Sequence, residues 1–128
     1  MARKIAFEIA FQVDQVQADP EEALGLLLEQ VKANETEISY TREILQGIAA
    51  HQSEIDALLS QLSQSWTLER MFAVDRVLLR VGSYEILYGN IPAAIAINEA
   101  VEMAKIYGDD HSPAFINAIL DQVQKNVP

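Results

Sequence analysis

Few residues in this sequence could carry acid-base or metal chemistry. Its 128 residues include two histidines and no cysteine, which excludes thiolate nucleophiles, disulfides and Cys-based zinc sites. His51 and Glu54 lie one helical turn apart and could share a metal, but no further ligands stand at matching spacing, so we interpret the pair as a solvated helix end. Acidic pairs such as Glu21-Glu22 fall at helix starts, where they stabilise the helix dipole. The five glycines form no phosphate-binding loop. We expect no enzyme, no metal site and no cofactor.

The charge balance restricts the partners that the chain can bind. Nine Lys and Arg against nineteen Asp and Glu give a formal charge of −10, which opposes nonspecific attachment to nucleic acid or anionic lipid. A polyanion would have to be recognised at a local basic patch. The apolar runs, such as residues 23–28, are far shorter than the roughly 18 residues of a membrane span, so we expect a cytoplasmic protein with no membrane partner.

Two short segments could contact an anion. Arg3 and Lys4 form a basic pair at the start of the first predicted helix. The turn from Asp110 to Pro113 precedes the last predicted helix, whose free N–H groups, together with the Ser112 hydroxyl, could hold a phosphate. For this turn, a self-capping role without a ligand is the alternative.

Arg76 and Arg80 lie one turn apart on a segment that is otherwise apolar. A desolvated guanidinium needs a carboxylate or carbonyl partner, so we predict that Arg80 is paired structurally. Asp75 and Arg76 stand nearer the start of this segment, and we expect them to be exposed and to engage another protein. The candidate partners of Arg80 are Glu85, Glu99 and Glu102.

The elements that position these residues are predicted to be helices throughout, because apolar residues recur at spacings of three and four and nowhere alternate with period two. We predict a single all-α domain over residues 1–128, with about seven helices. Trp66 is expected to enter the core from the connection 60–67, and Gly82 indicates a close helix crossing. The predicted helices cover residues 4–18, 20–31, 38–49, 53–62, 68–88, 92–107 and 112–123, with Asp19 and Ser53 as caps of the second and fourth.

Several sequence runs resemble the NusB family of transcription antitermination factors. The resemblance extends to the opening helix, where Ala2-Arg3-Lys4-Ile5-Ala6-Phe7-Glu8-Ile9-Ala10-Phe11-Gln12 is similar to the family's first helix, while residues 18–65 match in pattern only. The runs that carry the resemblance are Asp75-Arg76-Val77-Leu78-Leu79-Arg80, Tyr84-Glu85-Ile86-Leu87-Tyr88, Ile91-Pro92, Ala96-Ile97-Asn98-Glu99-Ala100-Val101-Glu102-Met103-Ala104-Lys105, Tyr107-Gly108, Phe115-Ile116-Asn117 and Leu120-Asp121.

The resemblance implies a NusB-like double three-helix bundle and a role without catalysis. Members of the family pair with NusE, a small-subunit ribosomal protein, and bind the boxA element of ribosomal RNA leaders, which promotes read-through by the RNA polymerase elongation complex. The position of Asp75, with Arg76 beside it, corresponds to the contact with NusE. Residues at positions that correspond to RNA contacts are Arg3, Lys4, Phe11, His111, Ser112 and Phe115.

The sequence departs from the family pattern at several positions near the implied RNA surface. The arginines that often precede the Ala-Arg motif are missing, and His111 replaces an acidic residue. Each lost phosphate contact weakens salt-dependent affinity, so we predict weak RNA binding without NusE. Two alternatives stay open: a NusB-fold protein-interaction module with little RNA binding, and the NusB-like domain of a ribosomal RNA cytosine methyltransferase, although the chain has no room for a cofactor-binding sheet. A homodimer is also open.

Overall fold

The computed structural model describes residues 2–16, 19–30, 32–63 and 67–127, apart from the side chains at positions 2, 3 and 20. Within these ranges the chain forms six α-helices and no strand, which confirms the all-α expectation. None of these helices is long and apolar enough to cross a membrane. The helices are α1 (Ala2–Val16), α2 (Pro20–Leu28), α3 (Glu35–Leu62), α4 (Ala73–Leu87), α5 (Ala93–Tyr107) and α6 (Ser112–Lys125).

The prediction of two short helices between residues 38 and 62 is wrong, because α3 runs without interruption through Ser53. Ser53 is exposed on this helix and no glycine or proline follows it closely, so the backbone has no reason to break. Buried residues continue at helical spacing on both sides of this point, from Ile48 to Ile55 and Leu59. One long helix therefore replaces two of the seven that were predicted.

The helix starts are set by local capping. The predicted cap at Asp19 is confirmed, since its Oδ2 accepts a hydrogen bond from the Glu22 N–H at 3.1 Å. α3 begins with a capping box that the sequence analysis did not identify. The Asn34 side chain accepts from the Glu37 N–H at 2.8 Å, and Glu37 Oε1 accepts from the Asn34 N–H at 3.1 Å. The first turns of α2 and α3 both carry carboxylates, which interact favourably with the positive end of the helix dipole.

α4 is the buried centre of the fold, as its apolar sequence predicts, but it begins at Ala73 rather than at 68. Residues 67–71 form a turn, in which the N–H groups of Arg70 and Met71 donate to the Thr67 carbonyl. The close crossing at Gly82 is confirmed, because a Cβ there would lie 2.7 Å from Cδ1 of Leu120 on α6.

The helices pack as two three-helix bundles, α1–α3 and α4–α6, which are joined by contacts of α4 with α1 and α3 and of α6 with α3. A small apolar cluster, with Ile5, Ile9, Leu24 and Leu45, lies between α1, α2 and α3. The larger cluster crosses both bundles and includes Leu78, which is fully buried. Val31 and Trp66 lie outside the described residues, so their predicted places stay predictions.

Candidate nucleic-acid and protein interface

The first predicted contact surface lies on α1. Its buried side, with Ile5 and Ile9, faces the bundle core, which leaves Lys4 exposed and Phe11 half-buried. The Phe11 ring lies 6.1 Å from that of Phe7, so its inner edge is held while its outer edge reaches the surface. The side chain of Arg3 lies outside the described part of the chain.

Tyr107 brings the end of α5 beside α1. Its ring centroid lies 5.0 Å from that of Phe7, and its hydroxyl donates to Glu8 Oε1 at 3.2 Å. Burial, together with the charge of Glu8 and this hydrogen bond, raises the pKa of Tyr107, so the phenol stays protonated and remains a donor. The turn that follows Tyr107 is thereby anchored next to the helix that carries Lys4 and Phe11.

This turn is organised by Asp109. Its Oδ1 accepts from the N–H of His111 at 2.9 Å and of Ser112 at 3.1 Å, and these bonds, led by that from His111, lower the pKa of Asp109. A Cβ at Gly108 would lie 2.4 Å from Ser112 Oγ, so only glycine leaves room for this arrangement. His111 itself is exposed. The N-cap residue of α6, His111, makes no side-chain capping bond; the turn is closed instead by the side chain of Asp109, one residue before the segment predicted to cap itself.

The phosphate contact predicted for Ser112 is wrong in its geometry. Ser112 is fully buried, and its hydroxyl accepts from the Asp109 N–H at 3.1 Å and lies 3.3 Å from Asp109 Oδ1. The N–H of Phe115 already donates to the His111 carbonyl. A carboxylate of the chain itself thus occupies the anion position at this helix start. His111 and Phe115 remain on the surface as the side chains of this segment that a ligand can reach.

A groove of about 320 Å³ separates this turn from the start of α4. Phe72, which is 48% exposed, and Phe115 give it aromatic walls, and the carboxylates of Asp75 and Asp109 also line it. The residues that line it are Met71, Phe72, Asp75, Asp109, His111 and Phe115.

Asp75 is buried, contrary to the expectation that it is exposed. The residue is only 8% exposed, and its Oδ1 has no hydrogen-bond partner among the described residues. Burial raises the pKa of Asp75, and the charge of Asp109 adds to this effect, whereas a hydrogen bond with Ser112 opposes it. α4 is packed on most of its faces, so its first turn, which carries Asp75, lies inside the groove. Only a partner that enters the groove could contact Asp75.

Arg76 is also held inside the protein rather than exposed for a partner. Its side chain is 14% exposed, and its Nε donates to Asp14 Oδ1 at 3.0 Å.

Arg80 is paired, as predicted, but with Asp14 and Asp56 at 2.9 Å each. Among the described residues, none of the three predicted partners pairs with Arg80: Glu85 accepts from the Tyr40 hydroxyl, Glu102 pairs with Lys105, and Glu99 makes no ion pair with Arg80. These pairs form between helices that are distant in the sequence and meet only through tertiary packing.

The sequence analysis missed Asp109 and Phe72. Asp109 stands three residues before Ser112, at a distance typical of a side chain that caps a helix start, and this signal was available. Phe72 lies in an apolar run, which by itself favours a place in the core, yet it is 48% exposed. His51 is not a helix end: it lies within α3, stacks on Tyr88 with ring centroids 3.8 Å apart, and contacts Glu54 at 3.6 Å. No group of three metal-ligating side chains occurs among the described residues.

The comparisons with known proteins agree with this architecture. The family model described as the NusB family matches residues 1–125. The chain belongs to the NusB family. The transcription antitermination protein NusB of Syntrophomonas wolfei is 46% identical over 123 residues, which cover 95% of this chain and 92% of that protein. NusB of Arthrobacter sp. strain FB24 is 40% identical over 128 residues, covering 99% and 93%.

Solved NusB structures share the fold. T. maritima NusB superposes with a TM-score of 0.89 at 34% identity, over 98% of this chain and 89% of that one. NusB in a complex of antitermination factors NusB and NusE with double-stranded RNA gives a TM-score of 0.88 at 24% identity, over 97% and 93%. The double three-helix bundle implied by the NusB resemblance is confirmed.

Proposed function

We propose that this chain is a non-enzymatic transcription antitermination factor of the cytoplasm. It pairs with NusE, binds boxA RNA of ribosomal RNA leaders and helps the RNA polymerase elongation complex to read through terminators. The observation that carries this proposal is the NusB family match over residues 1–125, supported by the shared fold with a NusB that was solved together with NusE and double-stranded RNA.

The described surface supports an RNA site assembled from two places. α1 presents Lys4 and Phe11, the turn before α6 presents His111, and the first turn of α6 presents Phe115. The hydrogen bond between Tyr107 and Glu8 joins the end of α5, just before this turn, to α1. An aromatic ring offers a stacking face to an unpaired base, and Lys4 offers a phosphate contact. The Arg3 side chain is proposed to add a second phosphate contact.

In the part of the chain that the structure describes, five of the nine basic residues of the sequence have carboxylate partners. Arg76 and Arg80 are half-buried in ion pairs, and three exposed basic side chains contact carboxylates: Arg42 with Glu21, Lys105 with Glu102 and Lys125 with Asp121. The exposed side chains of Lys4, Lys32 and Arg70 can reach phosphates, but nineteen acidic residues oppose them. Since counterion release requires cations that can reach phosphates, RNA binding by the chain alone should be weak. NusE is proposed to supply the missing contacts and to bind at the groove beside Phe72 and Asp75.

The test is a titration of labelled boxA RNA, at fixed salt, with the chain alone and with an equimolar mixture of chain and NusE. A scrambled RNA of the same composition is the control for sequence preference. We expect weak binding by the chain alone and at least tenfold tighter, boxA-selective binding by the mixture. Binding of NusE without any gain in RNA affinity would instead favour the protein-interaction module, which the acidic side chains Asp75 and Asp109 in the groove also suit.

A further inference from the structure

A cluster of two arginines and two aspartates joins three helices. Asp14 on α1 accepts from Arg76 Nε at 3.0 Å and from Arg80 Nη1 at 2.9 Å, both on α4. Arg80 also donates from Nε and Nη2 to the carboxylate of Asp56 on α3, at 2.9 and 3.0 Å. We call these four residues the clamp. Asp14 is its only member on α1, so it makes every bond that ties α1 to the clamp.

The clamp is half-buried. The side chains of Asp14, Arg76 and Arg80 are 10%, 14% and 16% exposed, and that of Asp56 is 25% exposed. Burial by itself would raise the pKa of Asp14, but the hydrogen bond from Arg76, that from Gln15 and the charges of both arginines outweigh it and lower this pKa. Asp14 is therefore charged at neutral pH, and salt screens its attraction to the arginines less than it screens that of a fully exposed ion pair.

Arg76 extends the clamp to the segment before α4. Its Nη1 donates to the carbonyl of Leu68 at 2.8 Å and to that of Met71 at 3.3 Å. Met71 and Phe72 line the groove beside the turn that carries His111. One guanidinium thus holds both the last turn of α1 and the backbone next to the groove.

We propose that Asp14 is a positioning residue for RNA binding, which holds α1 in the orientation that places Lys4 and Phe11 beside the turn carrying His111. Asp14 lies one helical turn beyond Phe11, far from the start of α1, so it acts on the RNA surface through the helix and not by contact. The second polar anchor of α1 is Glu8, which binds Tyr107. The inference rests on the proposed function, because it assigns α1 to the RNA surface.

The expected size of the effect follows from the population of correctly placed α1. The apparent dissociation constant rises by the inverse of the fraction of molecules that are competent to bind. Asp14→Asn leaves both arginines short of one carboxylate and weakens the bonds that hold the last turn of α1. If a tenth of the molecules then keep α1 in place, RNA affinity falls about tenfold.

The experiment compares Asp14→Asn with the matched control Asp56→Asn, which removes a carboxylate from the same clamp but touches α3 and not α1. RNA affinity is measured for each variant mixed with NusE, at a temperature where both variants are folded by circular dichroism. Hydrogen exchange of the α1 amides over residues 5–13 is measured in parallel. We expect Asp14→Asn to weaken RNA binding about tenfold and to speed exchange in α1, whereas Asp56→Asn should change RNA affinity less than twofold.

A double variant guards against loss of folding. Asp14→Asn combined with Arg76→Met breaks the clamp at α1 but leaves Arg80 paired with Asp56, so no arginine is buried without a carboxylate. It should also bind RNA about tenfold more weakly than the wild type. The proposal is overturned if both single variants weaken RNA binding equally, or if the folded double variant binds RNA like the wild type. If the wild type itself ignores boxA RNA, the proposed function fails, whereas the exchange measurement still shows whether Asp14 holds α1.

Discussion

Two neighbouring carboxylates, Asp75 and Asp109, should affect stability in opposite directions. Both line the groove between α4 and the turn before α6. Asp75 is buried, and its Oδ1 has no partner in the part of the chain that the structure describes, whereas Asp109 is exposed and accepts hydrogen bonds from two backbone N–H groups. Replacing each by asparagine removes a charge with little change in shape. We expect Asp75→Asn to stabilise the protein and Asp109→Asn to destabilise it.

The magnitude for Asp75 follows from the cost of a buried acceptor without a partner, which is about 1–3 kcal/mol and larger for a charged group. The amide keeps an oxygen in the same place, so the substitution recovers only a part, about 1 kcal/mol. For a chain of this length, an unfolding entropy of about 2.1 cal/mol/K per residue converts this free energy into a rise in Tm of about 4 °C. Asp109→Asn should lower Tm, since its amide is a weaker acceptor for the turn.

The pH dependence separates the two effects. The pKa of Asp75 is raised in the folded state, so between the unfolded value, about 3.9, and the folded value the native state binds more protons, and stability falls as pH rises. The gain from Asp75→Asn should therefore be complete at pH 7.5 and shrink as the pH falls towards 4. The pKa of Asp109 is lowered, so its contribution is present above about pH 4 and is lost as the pH falls through the folded value.

The assay is thermal unfolding followed by circular dichroism, with urea unfolding at 25 °C, for the wild type and both variants at pH 7.5 and pH 4. A lower Tm for Asp75→Asn at pH 7.5, or a gain that is as large at pH 4, would show that the Asp75 carboxylate is well solvated or well paired. The same variants should differ in NusE binding: Asp75→Asn is expected to weaken it, because the charge that this site offers to a partner is lost.

Further predictions concern the core and the RNA surface. Leu78→Ala should cost about 2–5 kcal/mol in urea unfolding, because Leu78 is fully buried; a loss below about 1 kcal/mol would contradict that burial. Gly82→Ala should gain about 1 kcal/mol of helix propensity but cost about 1–3 kcal/mol in overpacking against Leu120, a net destabilisation that a higher Tm would refute. Lys4→Ala should weaken boxA binding by the mixture with NusE and reduce the slope of log affinity against log salt by about 1; an unchanged slope would remove Lys4 from the RNA surface.

The sequence predicted the helical class, the cap at Asp19 and the crossing at Gly82, because each depends on residues close together in the chain or on a strong periodic pattern. Helix boundaries were less accurate. The break at Ser53 was predicted from a residue that favours caps, but such a residue is tolerated within a helix whose apolar face continues on both sides.

The side-chain contacts of the candidate site were less predictable than the helices. The partner of Arg76 stands 62 residues away at Asp14, and no local pattern signals such a pairing. The same holds for Asp75, whose burial results from helices that meet only in the folded chain. Ser112 was predicted to offer its hydroxyl to an anion, because the competing carboxylate of Asp109 was not considered.

The length of α3 determines how the two bundles can come apart. Its 28 residues correspond to a rod of about 42 Å, and adjacent residues serve different clusters: Leu45 packs in the small cluster of the first bundle, whereas Ile44 packs in the larger one that reaches α4–α6. If either bundle unfolded, the buried side chains on one side of α3 would lose their packing partners. We therefore expect the two bundles to unfold as one cooperative unit. A fragment cut after residue 63 would expose Ile44, Ile48, Ile55 and Leu59 and should not fold on its own.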